Sequence, residues 1–87
     1  MSFEVAEIQS TPNPNALKFV LDRAIAEQPV SFFDPEAARE HPLASKLFAL
    51  PGVASLLLLG DFVTVNKRPD ADWAPIKRGV RTVLAQP

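Results

Sequence analysis

The fold of this 87-residue sequence is decided by residues 53–67, Val-Ala-Ser-Leu-Leu-Leu-Leu-Gly-Asp-Phe-Val-Thr-Val-Asn-Lys. Two β-prone runs flank the dipeptide Gly60-Asp61, which can turn the chain within two residues. Such a loop sets Leu58 opposite Val63 and gathers alternate residues of both runs on one apolar side. The stretch therefore predicts an antiparallel β-hairpin.

The opposite side of this hairpin carries three apolar side chains, those of Leu57, Leu59 and Phe62. A sheet covered by helices on one face normally exposes polar residues on the other. The three side chains therefore predict a contact surface for a partner protein or for a second copy of the chain. The alternative is that a loop or the segment 30–33 covers them. A three-residue loop would change which residues point outward.

Two further strands precede the hairpin along the chain. Residues 3–10 predict a first strand with a bulge near Ala6, and residues 16–21 alternate apolar and polar side chains as a second strand. Residues 23–29 predict a polar link without regular structure. Residues 30–33 predict either a short strand or a buried plug.

The first two strands are separated by Thr-Pro-Asn-Pro-Asn at residues 11–15. The two prolines fix two φ angles and remove two backbone donors, and the Asn side chains can close turns. Because a preordered loop loses little entropy on binding, Thr11, Asn13 and Asn15 are candidates for partner binding. The alternative is a rigid connector that sets the start of the second strand.

The first helical region contains a proline that divides it. Asp34-Pro35 predicts one helical turn over residues 35–40, and Pro42 begins the first main helix, which Pro51-Gly52 ends. The apolar stripe of that helix comprises Leu43, Ala44, Leu47, Phe48 and Leu50.

The last helix is predicted to begin after Asp72, its N-cap. Apolar residues recur along it at helical spacing: Trp73, Ile76, Val80, Val83 and Leu84. Trp73 is expected to anchor the helix against the sheet, and Gly79 to cost it ~1 kcal/mol relative to Ala. The other side carries Lys77, Arg78 and Arg81, which either dock an acidic partner or form the solvated face of an amphipathic helix.

These elements predict a single domain over residues 1–87 with the order β-β-(β)-α-β-β-α. Strands joined by short links pair antiparallel. The expected fold class is α+β, with an antiparallel sheet and two main helices packed on one of its faces.

Composition and charge exclude several classes of function. The longest apolar runs, such as residues 56–59, fall far short of the ~20 residues of a membrane span. No secretory pattern stands at the start of the sequence, so a cytoplasmic address is expected. Residues 1–61 carry a balance of −4 and residues 62–87 a balance of +3, too weak an asymmetry for a nucleic-acid binder.

Catalytic and metal sites find little support in the residue types present. The sequence has no Cys and one His, His41, so it offers neither a thiolate nucleophile nor a typical zinc-ligand set. His41 precedes Pro42, where helix capping or plain exposure is expected. Three glycines form no phosphate-binding loop. We therefore expect no enzyme activity, no metal site and no bound cofactor.

Several motifs occur in order along nearly the whole chain: TPNPNALKF at 11–19, PLA at 42–44 with LF at 47–48, PGV at 51–53, DFVTVNK at 61–67, and Trp73. Together they resemble the N-terminal domain of Nfu/NifU-type iron–sulfur scaffold proteins. That family usually has Gly one position earlier in the hairpin, where Leu59 stands here. In that family, a Cys-x-x-Cys motif in a separate C-terminal domain holds the cluster, and this sequence contains no such motif.

The resemblance implies a role in iron–sulfur cluster biogenesis without ligation of the cluster by this chain. The preferred hypothesis is a non-catalytic docking module that binds a scaffold or client protein, with homodimerisation through the outer hairpin face as an option. The alternative is a small-ligand-binding α+β domain, unrelated to clusters, with its pocket between sheet and helices.

Overall fold

The computed structural model describes residues 3–86, and they form an α+β fold. The elements follow along the chain as β1 (Val5–Ser10), β2 (Ala16–Leu21), β3 (Ala26–Phe32), α1 (Pro42–Phe48), β4 (Val53–Gly60), β5 (Phe62–Lys67) and α2 (Trp73–Ala85). This order confirms the predicted one, with the bracketed strand present as β3. Residues 1, 2 and 87 of the predicted domain lie outside the described part.

The sheet has the strand order β1-β2-β5-β4-β3, and every neighbouring pair is antiparallel. In the hairpin of β4 and β5, Leu58 pairs with Val63 and Leu59 with Phe62, so the loop has the predicted two residues. Gly60 takes a φ of 56°, which a glycine at the first position of such a loop adopts at no steric cost.

Strand bounds differ from the sequence prediction at two places. β1 begins at Val5, and its register shifts between Val5 and Glu7, which confirms the bulge near Ala6. The polar link predicted up to residue 29 is wrong in part, because β3 already begins at Ala26. Ala26 pairs with Gly60 across the sheet, and this pairing outweighs the weak β propensity of the local sequence.

The segment between β3 and α1 forms hydrogen-bonded turns over residues 35–40, where one helical turn was predicted, and contains no regular α-helix. Asp34 still caps it as expected, because Oδ1 accepts a hydrogen bond from the Ala37 N–H at 2.7 Å. The turns are closed by hydrogen bonds from the N–H of residue i+3 to the carbonyl of residue i, such as Ala38 N–H to the Pro35 carbonyl at 3.2 Å. Pro42 disfavours α geometry at His41, so the turns cannot run on into α1.

The core lies between one face of the sheet and both helices. α2 buries Ile76, Val80, Val83 and Leu84, and α1 buries Ala44, Leu47 and Phe48. These side chains pack against the inner residues of the three central strands, Phe19, Leu21, Leu56, Leu58, Val63 and Val65. Trp73 is half-buried at the margin of this core. Because both helices share one face, the other face of the sheet has no helix over it.

Candidate functional site

The uncovered face of the sheet, here called the outer face, carries the predicted apolar trio. Phe62 lies between Val20 on β2 and Leu59 on β4, so three apolar side chains form one row across three strands. Leu57 stands one step along β4, opposite Thr64. All of these side chains are half-buried by their neighbours in the sheet. The register therefore confirms that Leu57, Leu59 and Phe62 share one surface.

The outer face also contains a cation in contact with its central aromatic ring. Lys18 Nζ lies 4.2 Å from the centroid of the Phe62 ring, within the range of a cation–π contact. Lys18 and Val20 were not among the residues predicted from the sequence to bind a partner. The alternation of β2 already predicts that both side chains lie on the face opposite the buried Phe19. Only the pairing of β2 with β5 shows that this face also carries Phe62.

The chain does not cover this face with its own segment 30–33. Val30, Ser31 and Phe32 belong to β3 and pair with Leu58, Leu57 and Leu56 at the edge of the sheet. Phe32 is buried in the core, whereas Phe33 is 77% exposed beyond the strand end. The strand alternative for this segment is confirmed, and the plug alternative is wrong. Because successive side chains of an extended chain point to opposite sides, only one of these two adjacent Phe residues faces the core.

The loop at residues 11–15 is held by its own side chains. Thr11 Oγ1 accepts from the Asn13 N–H at 3.1 Å, and it lies 2.8 Å and 3.0 Å from the carbonyl oxygens of Asn13 and Ala16. Asn13 Oδ1 accepts from the Asn15 N–H at 2.9 Å, the Asx-turn that the sequence predicts. The loop is thus ordered by its own hydrogen bonds.

Hydrogen bonds from two residues, Lys67 and Trp73, tie this loop to distant parts of the chain. Lys67 at the end of β5 donates from Nζ to Asn15 Oδ1 at 2.9 Å, and its N–H donates to the Asn15 carbonyl at 2.8 Å. Trp73 Nε1 at the start of α2 donates to the Pro14 carbonyl at 3.1 Å. These bonds give Asn15 a connecting role, while the side chains of Pro12, Asn13 and Pro14 are exposed at the surface of the loop.

The basic residues of α2 lie on the helical side of the molecule. Arg78 and Arg81 are exposed and Lys77 is half-buried. Together with Lys46 on α1 they are the only charged residues of the two helices, neither of which contains an acidic one. The fold therefore separates the predicted site residues: the apolar trio lies on the outer face, and the basic residues lie beyond the opposite face.

His41 serves as a helix cap. Its Nδ1 accepts a hydrogen bond from the Ala44 N–H at 3.2 Å at the start of α1, and its ring packs edge-on to Phe32 with centroids 5.4 Å apart. Within residues 3–86, no three His, Asp or Glu side chains lie close enough together to hold a metal ion. With no Cys in the sequence, the residues present do not fit an iron–sulfur cluster.

The structure defines a small α+β domain whose outer face carries an apolar row that neither helix covers. The family model for the N-terminal domain of scaffold protein Nfu/NifU matches residues 6–87, and the chain belongs to this family. It is 41% identical over 80 residues to human "NFU1 iron-sulfur cluster scaffold homolog, mitochondrial", covering 90% of this chain and 32% of the relative. "NifU-like protein 5, mitochondrial" of Arabidopsis thaliana is 35% identical over 79 residues, with 90% and 29% covered. The chain thus spans about a third of the length of these relatives.

Two solved structures share the fold. A NifU-like protein from Saccharomyces cerevisiae superimposes with a TM-score of 0.78 at 29% identity, covering 90% of this chain and 72% of that one. Protein SAV1430 from Staphylococcus aureus gives a TM-score of 0.79 at 24% identity, covering 95% and 98%. No helix within residues 3–86 is long and apolar enough to cross a membrane. The family places the chain among proteins of iron–sulfur cluster biogenesis.

Proposed function

We propose that this chain is a non-catalytic docking module of iron–sulfur cluster assembly that binds a scaffold or client protein through the outer face of its sheet. The observation that carries the proposal is the apolar row Val20–Phe62–Leu59, with Leu57 beside it, on a face that neither helix covers. These 87 residues contain no Cys to ligate a cluster, which supports a role that acts through contact with a cluster-carrying domain or a client protein. The relatives that carry the word scaffold in their names support this choice of process.

The size of the outer face indicates the kind of complex it forms. Five strands of about six residues span roughly 24 Å by 20 Å, on the order of 500 Å². A standard interface buries about 800 Å² on each partner. Contact through this face alone therefore favours a transient complex, as expected of a docking module.

The rival hypothesis, a ligand pocket between sheet and helices, has less support. The side chains that meet there are fully buried against one another, with Leu47, Val63, Ile76 and Leu84 each 0% exposed. Filled space of this kind binds nothing until side chains move.

The cytoplasmic address likewise stays a prediction, since the mitochondrial names belong to the relatives.

The experiment measures binding of the purified chain to the cluster-carrying scaffold and to apo cluster proteins from the same organism. The double variant Leu57→Ser with Leu59→Ser should raise the dissociation rate about tenfold, because apolar burial supplies short-range affinity. Ser45→Ala with Thr82→Ser, at exposed positions of the two helices, is the control and should leave the rate unchanged. Sedimentation of the chain alone tests whether a second copy is the partner. A monomer that binds none of these proteins would contradict the proposal.

The basic residues of α2 serve as a steering surface in this proposal. Exposed charges act over a Debye length of about 8 Å at physiological salt and mainly affect the rate of encounter. Lys77→Glu with Arg81→Glu should lower the association rate and flatten its dependence on salt, while the dissociation rate stays near that of the wild type. An equal change in both rates would show that these residues lie inside the interface.

A further inference from the structure

A second surface lies at the end of the sheet opposite the Gly60-Asp61 loop. An open groove of about 500 Å³ runs between the turns that follow β3 and the turn that joins α1 to β4. Its walls include Phe33, Pro35, Phe48, Leu50, Pro51 and Arg68. It shares no residue with the apolar row of the outer face, so the two surfaces can be tested separately.

Phe33 gives this groove an exposed aromatic rim. Its side chain is 77% exposed and is the one large hydrophobic residue so exposed within residues 3–86. The adjacent turns hold its position, since Asp34 accepts from the Ala37 N–H at 2.7 Å. A large aromatic side chain on a fixed backbone is the residue type that dominates protein interfaces.

Arg68 gives the groove its available charge. Its N–H donates to the Gly52 carbonyl at 2.7 Å and its own carbonyl accepts from the Ala71 N–H at 3.0 Å, so its backbone is fixed on both sides. The side chain is exposed, and no carboxylate within the described residues lies within 4.0 Å of it. The one carboxylate in the groove wall, that of Asp34, is already engaged by the Ala37 N–H.

We propose that this groove docks a peptide segment of a partner protein that places an apolar side chain against Phe33 and a carboxylate on Arg68. The exposed Phe33 ring matches the first group, and the Arg68 guanidinium matches the second by charge and by its paired donors. An extended segment with two such groups spans the open groove, whereas a small molecule would leave most of its surface in water.

The test uses a phage-displayed library of random dodecapeptides, selected on the wild-type chain and counter-selected on Phe33→Ser with Arg68→Glu. Enriched peptides should combine an apolar residue with Asp or Glu. A synthetic copy of the commonest peptide should shift amide resonances of residues 33, 34, 48–50, 52, 53 and 68. Arg68→Glu should weaken it about tenfold, and replacing its acidic residue by Lys should restore binding to that variant. Because Phe33 and Arg68 are both exposed, neither substitution should disturb the fold. Amide resonances that stay unchanged away from the substituted residue verify folding of each variant.

Leu57→Ser with Leu59→Ser is the control that separates this groove from the outer face, and it should leave peptide affinity unchanged. Three results would overturn the proposal: no enrichment, enriched peptides indifferent to both groove variants, or a Phe33-dependent dimer in sedimentation. The last result would assign the groove to a second copy of the chain.

Discussion

Trp73 Nε1 donates a hydrogen bond to the carbonyl oxygen of Pro14, 3.1 Å away and 59 residues earlier in the chain. The same indole lies 6.5 Å from the ring of Phe19 and 5.9 Å from Lys67 Nζ, so it joins the start of α2 to β2, to the end of β5 and to the loop at 11–15. The Trp predicted as an anchor of the last helix is thus also the contact that positions the loop.

Trp73→Ala should lower the free energy of unfolding by about 3 kcal/mol, the low end of the range for large aromatic residues, because the side chain is only half-buried. Trp73→Phe keeps most of the packing and loses the hydrogen bond, so it should cost about 1 kcal/mol. Urea unfolding followed by circular dichroism measures both. Wild-type midpoints for both variants would show that the indole anchors nothing.

Gly79→Ala should not raise the free energy of unfolding by the ~1 kcal/mol that helix propensity alone predicts. A Cβ at residue 79 would overlap the end of the Leu50 side chain, which packs directly on the glycine where α2 passes the end of α1. Moving the end of the half-buried Leu50 side chain aside should offset the gain in helix propensity, so the net change should lie near zero.

A double-mutant cycle with Leu50→Ala isolates this overlap. Gly79→Ala should be stabilising in the Leu50→Ala background and not in the wild type. If the glycine substitution has the same effect in both backgrounds, Leu50 does not limit the space at residue 79.

Protonation of Asp22 should lower the free energy of unfolding at acid pH. Its carboxylate Oδ1 accepts from the Glu4 N–H at 3.0 Å, and this bond, aided by the Arg23 guanidinium 3.6 Å away, holds the pKa of Asp22 below its ordinary value. A carboxyl with a depressed folded-state pKa stabilises the fold fully above its unfolded pKa, and this stabilisation is lost as the pH falls through the folded value.

Asp22→Asn removes this titration. Its difference in unfolding free energy from the wild type should therefore be largest near neutral pH and vanish in strong acid. Urea midpoints of both proteins from about pH 7 to about pH 2 measure the difference. A difference that does not depend on pH would show that the Glu4 contact gives the ionised carboxylate no advantage.

The purified chain should remain colourless after anaerobic incubation with iron and sulfide. Protein ligation of iron–sulfur clusters is dominated by thiolates, and the sequence contains no Cys. The visible absorption spectrum after desalting is the measurement, with a thiolate-bearing Nfu C-terminal domain as the positive control. A stoichiometric charge-transfer band that survives desalting would contradict the prediction.

The sequence alone was sufficient for features that depend on near neighbours in the chain. β2 and β5 have the predicted bounds, and the Gly60-Asp61 loop and the bulge near Ala6 were predicted as well. Each follows from side-chain alternation or from the conformational freedom of a few adjacent residues. The outward direction of Leu57 and Leu59 follows in turn from the two-residue loop.

Tertiary structure decided what depends on residues far apart in the chain. β5 lies between β2 and β4, and its pairing with β2 places Val20 and Lys18 beside Phe62 on the outer face. The early start of β3, the exposure of Phe33 and the Trp73–Pro14 bond likewise depend on partners that no local pattern specifies. A strand or side chain takes the partner that the packed core leaves available, and that choice is made by the free energy of the whole fold.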